Sequence, residues 1–134
     1  MSSGTAVLGL VQFLPGYSLL LSGVEGAERL SDLPRVERLR FLSDMDTLGE
    51  AVERVCSRRD SAFRRINLEI QGNLAPQLHA HIWPRYDWEP PHRVIRQVGR
   101  YPLRTWHQPD TALSERHFAL RDELRTELAQ LVTA

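Results

Sequence analysis

Two stretches of the chain alternate strictly between polar and apolar residues, the period of a half-buried β-strand. Arg65-Ile66-Asn67-Leu68-Glu69-Ile70-Gln71 is the first, and after a break at Gly72-Asn73 the run Gln77 to Tyr86 is the second. Side chains alternate sides along a strand, so Leu78, Ala80 and Ile82 share one face while Gln77, His79, His81 and Trp83 share the other. Antiparallel pairing of the two stretches puts Asn67, Glu69 and Gln71 on that same polar face. Upstream, residues 5–13 and 17–22 are apolar runs separated by Pro15-Gly16, which predicts a hairpin. Ser31-Asp32 ahead of Leu33-Pro34 predicts a helix start. Phe41, Leu42, Met45, Leu48, Val52, Val55 and Cys56 then recur at three- and four-residue spacing, so the helix is expected to run over about 33–57. Ser114 caps a last helix over about 114–132, with Phe118, Leu120, Leu124, Leu128 and Leu131 as its apolar residues. Residues 87–112, rich in Pro, Trp and Arg, read as an irregular arm with a short strand at Val94–Val98. This order predicts an α+β fold: an antiparallel sheet with helix on one face and the polar alternates on the other.

Composition narrows what this fold does. The 134 residues form one expected domain, 1–134, without repeats or linkers. Basic and acidic residues balance at 17 each, so broad attraction to nucleic acid or to an anionic membrane has no support. Every one of the 17 cations is arginine, which excludes a lysine Schiff base and a P-loop. No apolar stretch approaches the ~20 residues of a membrane span. Cys56 is the single cysteine, so no disulfide can form within the chain and no cysteine-rich zinc site can be built. The N-terminus lacks the pattern of a signal peptide. Both features point to a cytoplasmic protein, with Cys56 as a buried structural thiol.

The chemistry concentrates at His79-Ala80-His81. Histidines at i and i+2 on a strand point the same way, with Cα atoms about 6.5–7 Å apart. Such a pair serves nucleophilic attack by one imidazole with charge stabilisation by the other. It also serves metal ligation, or stands as two exposed polar residues. A zinc site needs a third protein ligand, for which Glu69 and His92 are the candidates, neither at a diagnostic spacing. Arg64-Arg65 read as a solvated strand entry, and His117 as a solvated helix residue. The aromatic residues of the arm, Trp88 and Trp106 among them, read as cover for a partner surface or a nucleoside pocket.

The stretch Gly72-Asn73-Leu74-Ala75-Pro76-Gln77-Leu78-His79-Ala80-His81-Ile82-Trp83-Pro84-Arg85-Tyr86 resembles the signature of the histidine-triad (HIT) family. That signature has three histidines alternating with hydrophobic residues, followed by Pro-Arg and preceded by amide residues and a Gly-Asn or Gly-Gln. Aligned on Pro84-Arg85, His81 takes the third histidine position, His79 the middle one, and Gln77 replaces the first. The resemblance covers residues 15–86 and is closest to a bacterial branch resembling diadenosine polyphosphate hydrolases. A further family histidine, expected after the second hairpin strand, has no counterpart in Ser22-Gly23-Val24-Glu25-Gly26, and the zinc-binding cysteines of some members are absent.

The resemblance implies a HIT-like fold with a sheet of about five strands, and a homodimer made by pairing sheets edge to edge. It implies hydrolysis at a nucleotide α-phosphate, of a dinucleoside polyphosphate or a nucleoside phosphoramidate, without metal or other cofactor. His79 becomes the nucleophile, its second ring nitrogen donating to a backbone carbonyl. His81 donates to a non-bridging oxygen. Gln77 keeps hydrogen-bonding capacity but cannot carry a proton, which costs about 10²–10⁴-fold where general acid help is needed. Asn67, Gly72, Asn73, Arg85 and Trp83 are the implied nucleotide- and phosphate-binding residues. The alternatives are a nucleotide-binding or interaction protein that keeps the fold with a weakened site, and a His-x-His metal-binding protein.

Overall fold

The computed structural model describes residues 1–134. Gly16, with φ of +101°, turns the chain between β1 (Gly4–Leu8) and β2 (Ser18–Ser22), which pair antiparallel. The first strand is shorter than its apolar run. Gly9 lies against the Tyr17 ring, where any β-carbon would overlap it, and the Gln12 side chain donates to the carbonyls of Gly9 and Tyr17 at 2.9 Å each. These bonds divert residues 9–16 from the sheet, and beyond Leu8 only Val11 makes an isolated bridge, to Ala112.

Helix α1 (Arg35–Arg59) begins two residues later than its sequence signal, with Pro34 as the flanking residue. Arg58 and Arg59 lie in its last turn, where the helix dipole favours cations. Its stripe Phe41, Leu48, Val52, Val55 and Cys56 is buried. β3 (Phe63–Glu69) and β4 (His79–Tyr86) are the two alternating stretches. Before β4 the Leu78 carbonyl still accepts from the Ser22 amide of β2, but the Leu78 amide donates away from the sheet to the Ala27 carbonyl, and the strand begins at His79.

The sheet has four strands, in keeping with the about five expected, in the order β1-β2-β4-β3, each neighbouring pair antiparallel. The expected strand at Val94–Val98 does not form. Pro90-Pro91 opens a helical turn, α2 (Pro91–Val94), and the carbonyls of Arg93 and Arg96 turn inward to accept from Arg85. The rest of the arm coils through further short turns, including α3 (Leu103–Trp106).

Register decides the two faces. Ala80 pairs with Leu20, Ile82 with Leu68, and Pro84 with Ile66; this face packs on α1. Each large apolar side chain fully buried there stabilises the fold by about 1.5–3 kcal/mol. Helix α4 (Phe118–Thr133) lies against α1, burying Leu120 and Leu124, and its Glu127 accepts from Arg54 and Arg58. His117, expected to be solvated, caps the turn before α4: its Nδ1 accepts from the Ser114 amide at 3.0 Å. No helix is long and apolar enough to cross a membrane. The opposite face carries His79, His81, Trp83 and Arg85 of β4 beside Arg65, Asn67 and Glu69 of β3. The arm covers the Trp83–Arg85 end of that face, with Tyr101 and Trp106 packing on Phe13 and Trp106 on Trp83. The histidine end is left half-exposed.

Candidate functional site

His79 and His81 sit side by side on β4, ring centroids 4.8 Å apart. The Nδ1 of His79 is 2.6 Å from the Gln77 carbonyl oxygen. A carbonyl only accepts, so Nδ1 carries the proton of the neutral ring and Nε2 keeps its lone pair. The Nδ1 of His81 is 2.8 Å from the Tyr17 hydroxyl. Burial, and secondarily the neighbouring His79, lowers the His81 pKa to about 4, so His81 is neutral at pH 7. Burial first, then the Glu69 carboxylate, raises the Tyr17 pKa above its ordinary value, so the phenol stays protonated.

Tyr17 reads in the sequence as the first residue of an apolar strand. The signal that identifies it is parity: it immediately precedes β2, which pairs with the histidine strand, and is in phase with Leu19, which stands opposite His81. Glu69 faces His81 across the β3–β4 ladder. Its carboxylate accepts from Gln71 Nε2 at 2.7 Å and from the Trp83 indole at 3.3 Å.

The remaining sequence candidates divide. Gln77 serves the pair through its backbone carbonyl, while its side-chain amide reaches the Ser22 carbonyl at 3.5 Å. Gly72, with φ of +81°, and the exposed Asn73 lie in the loop before β4 and make no hydrogen bond to either histidine. Two expected ligand contacts, Arg85 and Trp83, are corrected by the packing. Arg85 is 2% exposed, and all five of its N–H groups are engaged, by Glu89, Asn67 and the carbonyls of Arg93 and Arg96. It has no donor left for a phosphate. Asn67 is part of the same cluster, its Oδ1 accepting from Arg85 at 2.8 Å. Trp83 is buried, with Tyr17 stacked on one face at 3.6 Å between centroids and Trp106 edge-on, so no base can stack there.

His92 is exposed on α2, and no three His, Cys, Asp or Glu side chains assemble into a group able to hold a metal. Arg64 is paired with Asp87 at 3.0 Å. The Cys56 thiol is pushed up to about 11 by burial, which makes it inert as a nucleophile. An apolar cavity of about 350 Å³ lies between β1, α1 and α4, away from the histidines. A more polar groove of about 750 Å³ begins at Glu69 and follows β3 to Arg65 and Arg96.

Comparison with protein-family models finds no match, and comparison with curated proteins finds none either. Solved structures do match. A histidine triad protein from Marinobacter aquaeolei VT8 is 24% identical with a TM-score of 0.73, covering 96% of this chain and 85% of that one. A histidine triad protein from Bradyrhizobium japonicum is 19% identical with a TM-score of 0.74, covering 96% and 86%. A histidine triad (HIT) protein from Sinorhizobium meliloti 1021 is 13% identical with a TM-score of 0.73, covering 95% and 84%. At these identities the likeness is one of fold, and the fold of this chain is HIT-like.

Proposed function

We propose that this chain is a HIT-family protein, of the branch resembling diadenosine polyphosphate hydrolases, that binds a nucleotide beside β4 and hydrolyses it at the α-phosphate. One observation carries the reading: His79 is tied through Nδ1 to the Gln77 carbonyl, which leaves Nε2 as its free ring nitrogen, 4.8 Å between centroids from His81 on a half-exposed face. In the proposed reaction the Nε2 lone pair attacks the α-phosphorus and forms a P–N bond. The bond from phosphorus to the leaving group breaks, and the leaving group departs with its electron pair. His81 donates to a non-bridging oxygen as negative charge builds there. Water then attacks phosphorus, the P–N bond breaks, and nucleoside monophosphate is released with His79 restored.

Gln77 shapes the substrate preference. It cannot protonate a leaving group. A polyphosphate leaves as a stable anion, whereas the amine of a phosphoramidate needs a proton. The dinucleoside polyphosphate is therefore the favoured class, with Gly72 and Asn73 as the loop donors beside the phosphates. A homodimer and a cytoplasmic location go with this reading.

The test is a substrate screen with wild type, His79→Ala and Gln77→His. Wild type is expected to hydrolyse diadenosine polyphosphates faster than phosphoramidates. His79→Ala is expected to lose turnover and the nucleotidyl-enzyme trapped by mass spectrometry. Gln77→His is expected to leave the polyphosphate rate unchanged or raise it, and to help the phosphoramidate most. Turnover that survives His79→Ala overturns the mechanism. Nucleotide binding without any turnover selects the alternative of a binding protein.

A further inference from the structure

We infer that Tyr17 is the positioning residue of the histidine pair: its hydroxyl donates to His81 Nδ1 and thereby holds His81 as the tautomer whose proton is on Nε2.

The placement of Tyr17 is over-determined. The Gly9 amide and the Gln12 carboxamide both donate to its carbonyl at 2.9 Å. The preceding Gly16 is held by Gln12 Oε1 on its amide at 3.0 Å and by the Ser18 hydroxyl on its carbonyl at 2.9 Å. The ring is clamped between Gly9, where a β-carbon would overlap it, and the Trp83 indole, stacked within 9° of parallel. The hydroxyl therefore has one place to be, and its only partner there is His81 Nδ1, 2.8 Å away.

The direction of that bond follows from counting donors. Tyr17 is 6% exposed, so its hydroxyl proton needs an acceptor within the protein. Were His81 Nδ1 the donor, that proton would be left without a partner, at a cost of about 1–3 kcal/mol. With Tyr17 as donor, both groups are satisfied, and the His81 proton moves to Nε2. His79 has the opposite tautomer, because its Nδ1 faces a carbonyl. Two rings 4.8 Å apart thus present a lone pair on one and a proton on the other. That is an attacking atom and a donor, side by side, for one phosphoryl group. The tautomer assignment stands on the protein alone; its consequence for the ligand rests on the nucleotide reading proposed above.

The experiment is a long-range ¹H–¹⁵N correlation on the ¹⁵N-labelled full chain at pH 7, in wild type and Tyr17→Phe, paired with titration of adenosine monophosphate. Tyr17→Phe keeps the ring on Trp83 and removes only the hydroxyl. In wild type His81 is expected to be protonated at Nε2 and His79 at Nδ1. In Tyr17→Phe the His81 signals are expected to shift toward a mixture of tautomers while His79 is unchanged, and monophosphate affinity is expected to fall about 3–10-fold, the worth of one hydrogen bond. Wild-type His81 protonated at Nδ1 overturns the inference even if the variant does not fold. So does a variant with the same His81 tautomer and the same affinity as wild type. Wild type that shows the assigned tautomers but binds no nucleotide supports the role of Tyr17 in holding His81 and overturns the nucleotide reading instead.

Discussion

Arg85 shows how far a single side chain's role depends on what surrounds it. An arginine at the end of a polar strand face reads as a phosphate ligand or as a solvated residue, and Arg85 is neither. Glu89, fully buried four residues on, receives both Nε and Nη2, and Tyr101 and the Tyr86 amide complete the carboxylate's bonding. The pair draws two arm carbonyls inward and so fastens the arm across the sheet. Removing one member of a buried pair leaves the other charged and unpaired. Arg85→Ala is therefore expected to lower the unfolding free energy by about 3–5 kcal/mol, read by urea denaturation. Arg85→Lys is expected to recover only part of it, since one ammonium cannot span Glu89, Asn67 and two carbonyls. A loss under about 1 kcal/mol for the alanine variant, the value of an exposed ion pair, contradicts this account.

At the scale of elements, the β1–β2 turn and α1 are fitted to each other at Gly16. The positive φ already disfavours any side chain there, and a β-carbon would overlap the Cys56 sulfur on α1. Cys56 and Tyr86 both donate to the neighbouring Pro15 carbonyl, so the turn has little freedom to retreat. Gly16→Ala is expected to destabilise by about 1–3 kcal/mol, from backbone strain and overpacking together. In a Cys56→Ala background the same substitution is expected to cost less, with a coupling of about 0.5 kcal/mol or more in a double-mutant cycle. Strict additivity contradicts the contact. This turn also carries Tyr17 to His81, so its geometry is felt in the site.

For the whole molecule, the strand order β1-β2-β4-β3 leaves β1 and β3 as edges with unpaired backbone groups. Exposed edges invite pairing with another chain. The proposed homodimer covers one edge by a two-fold contact of identical strands. Sedimentation equilibrium at tens of micromolar is expected to give twice the 15.4 kDa chain mass, and a monomer there contradicts the dimer.

Strand periodicity and the helical stripe are local properties of the backbone. For that reason the sequence by itself determined β3, β4 and α1 to within a few residues, and the common face of His79 and His81. It also determined the burial of Cys56, which completes the helical stripe. Alternation says which side a residue faces and is silent about what lies on that side. Only the tertiary structure brought Tyr17 to His81 across 64 residues and enclosed Arg85 and Trp83 beneath the arm. It also turned Val94–Val98 into part of a helical arm instead of a strand. The physical reason is the same each time: these placements depend on hydrogen bonds and stacking between distant segments, which become possible only once the sheet and α1 have folded against each other.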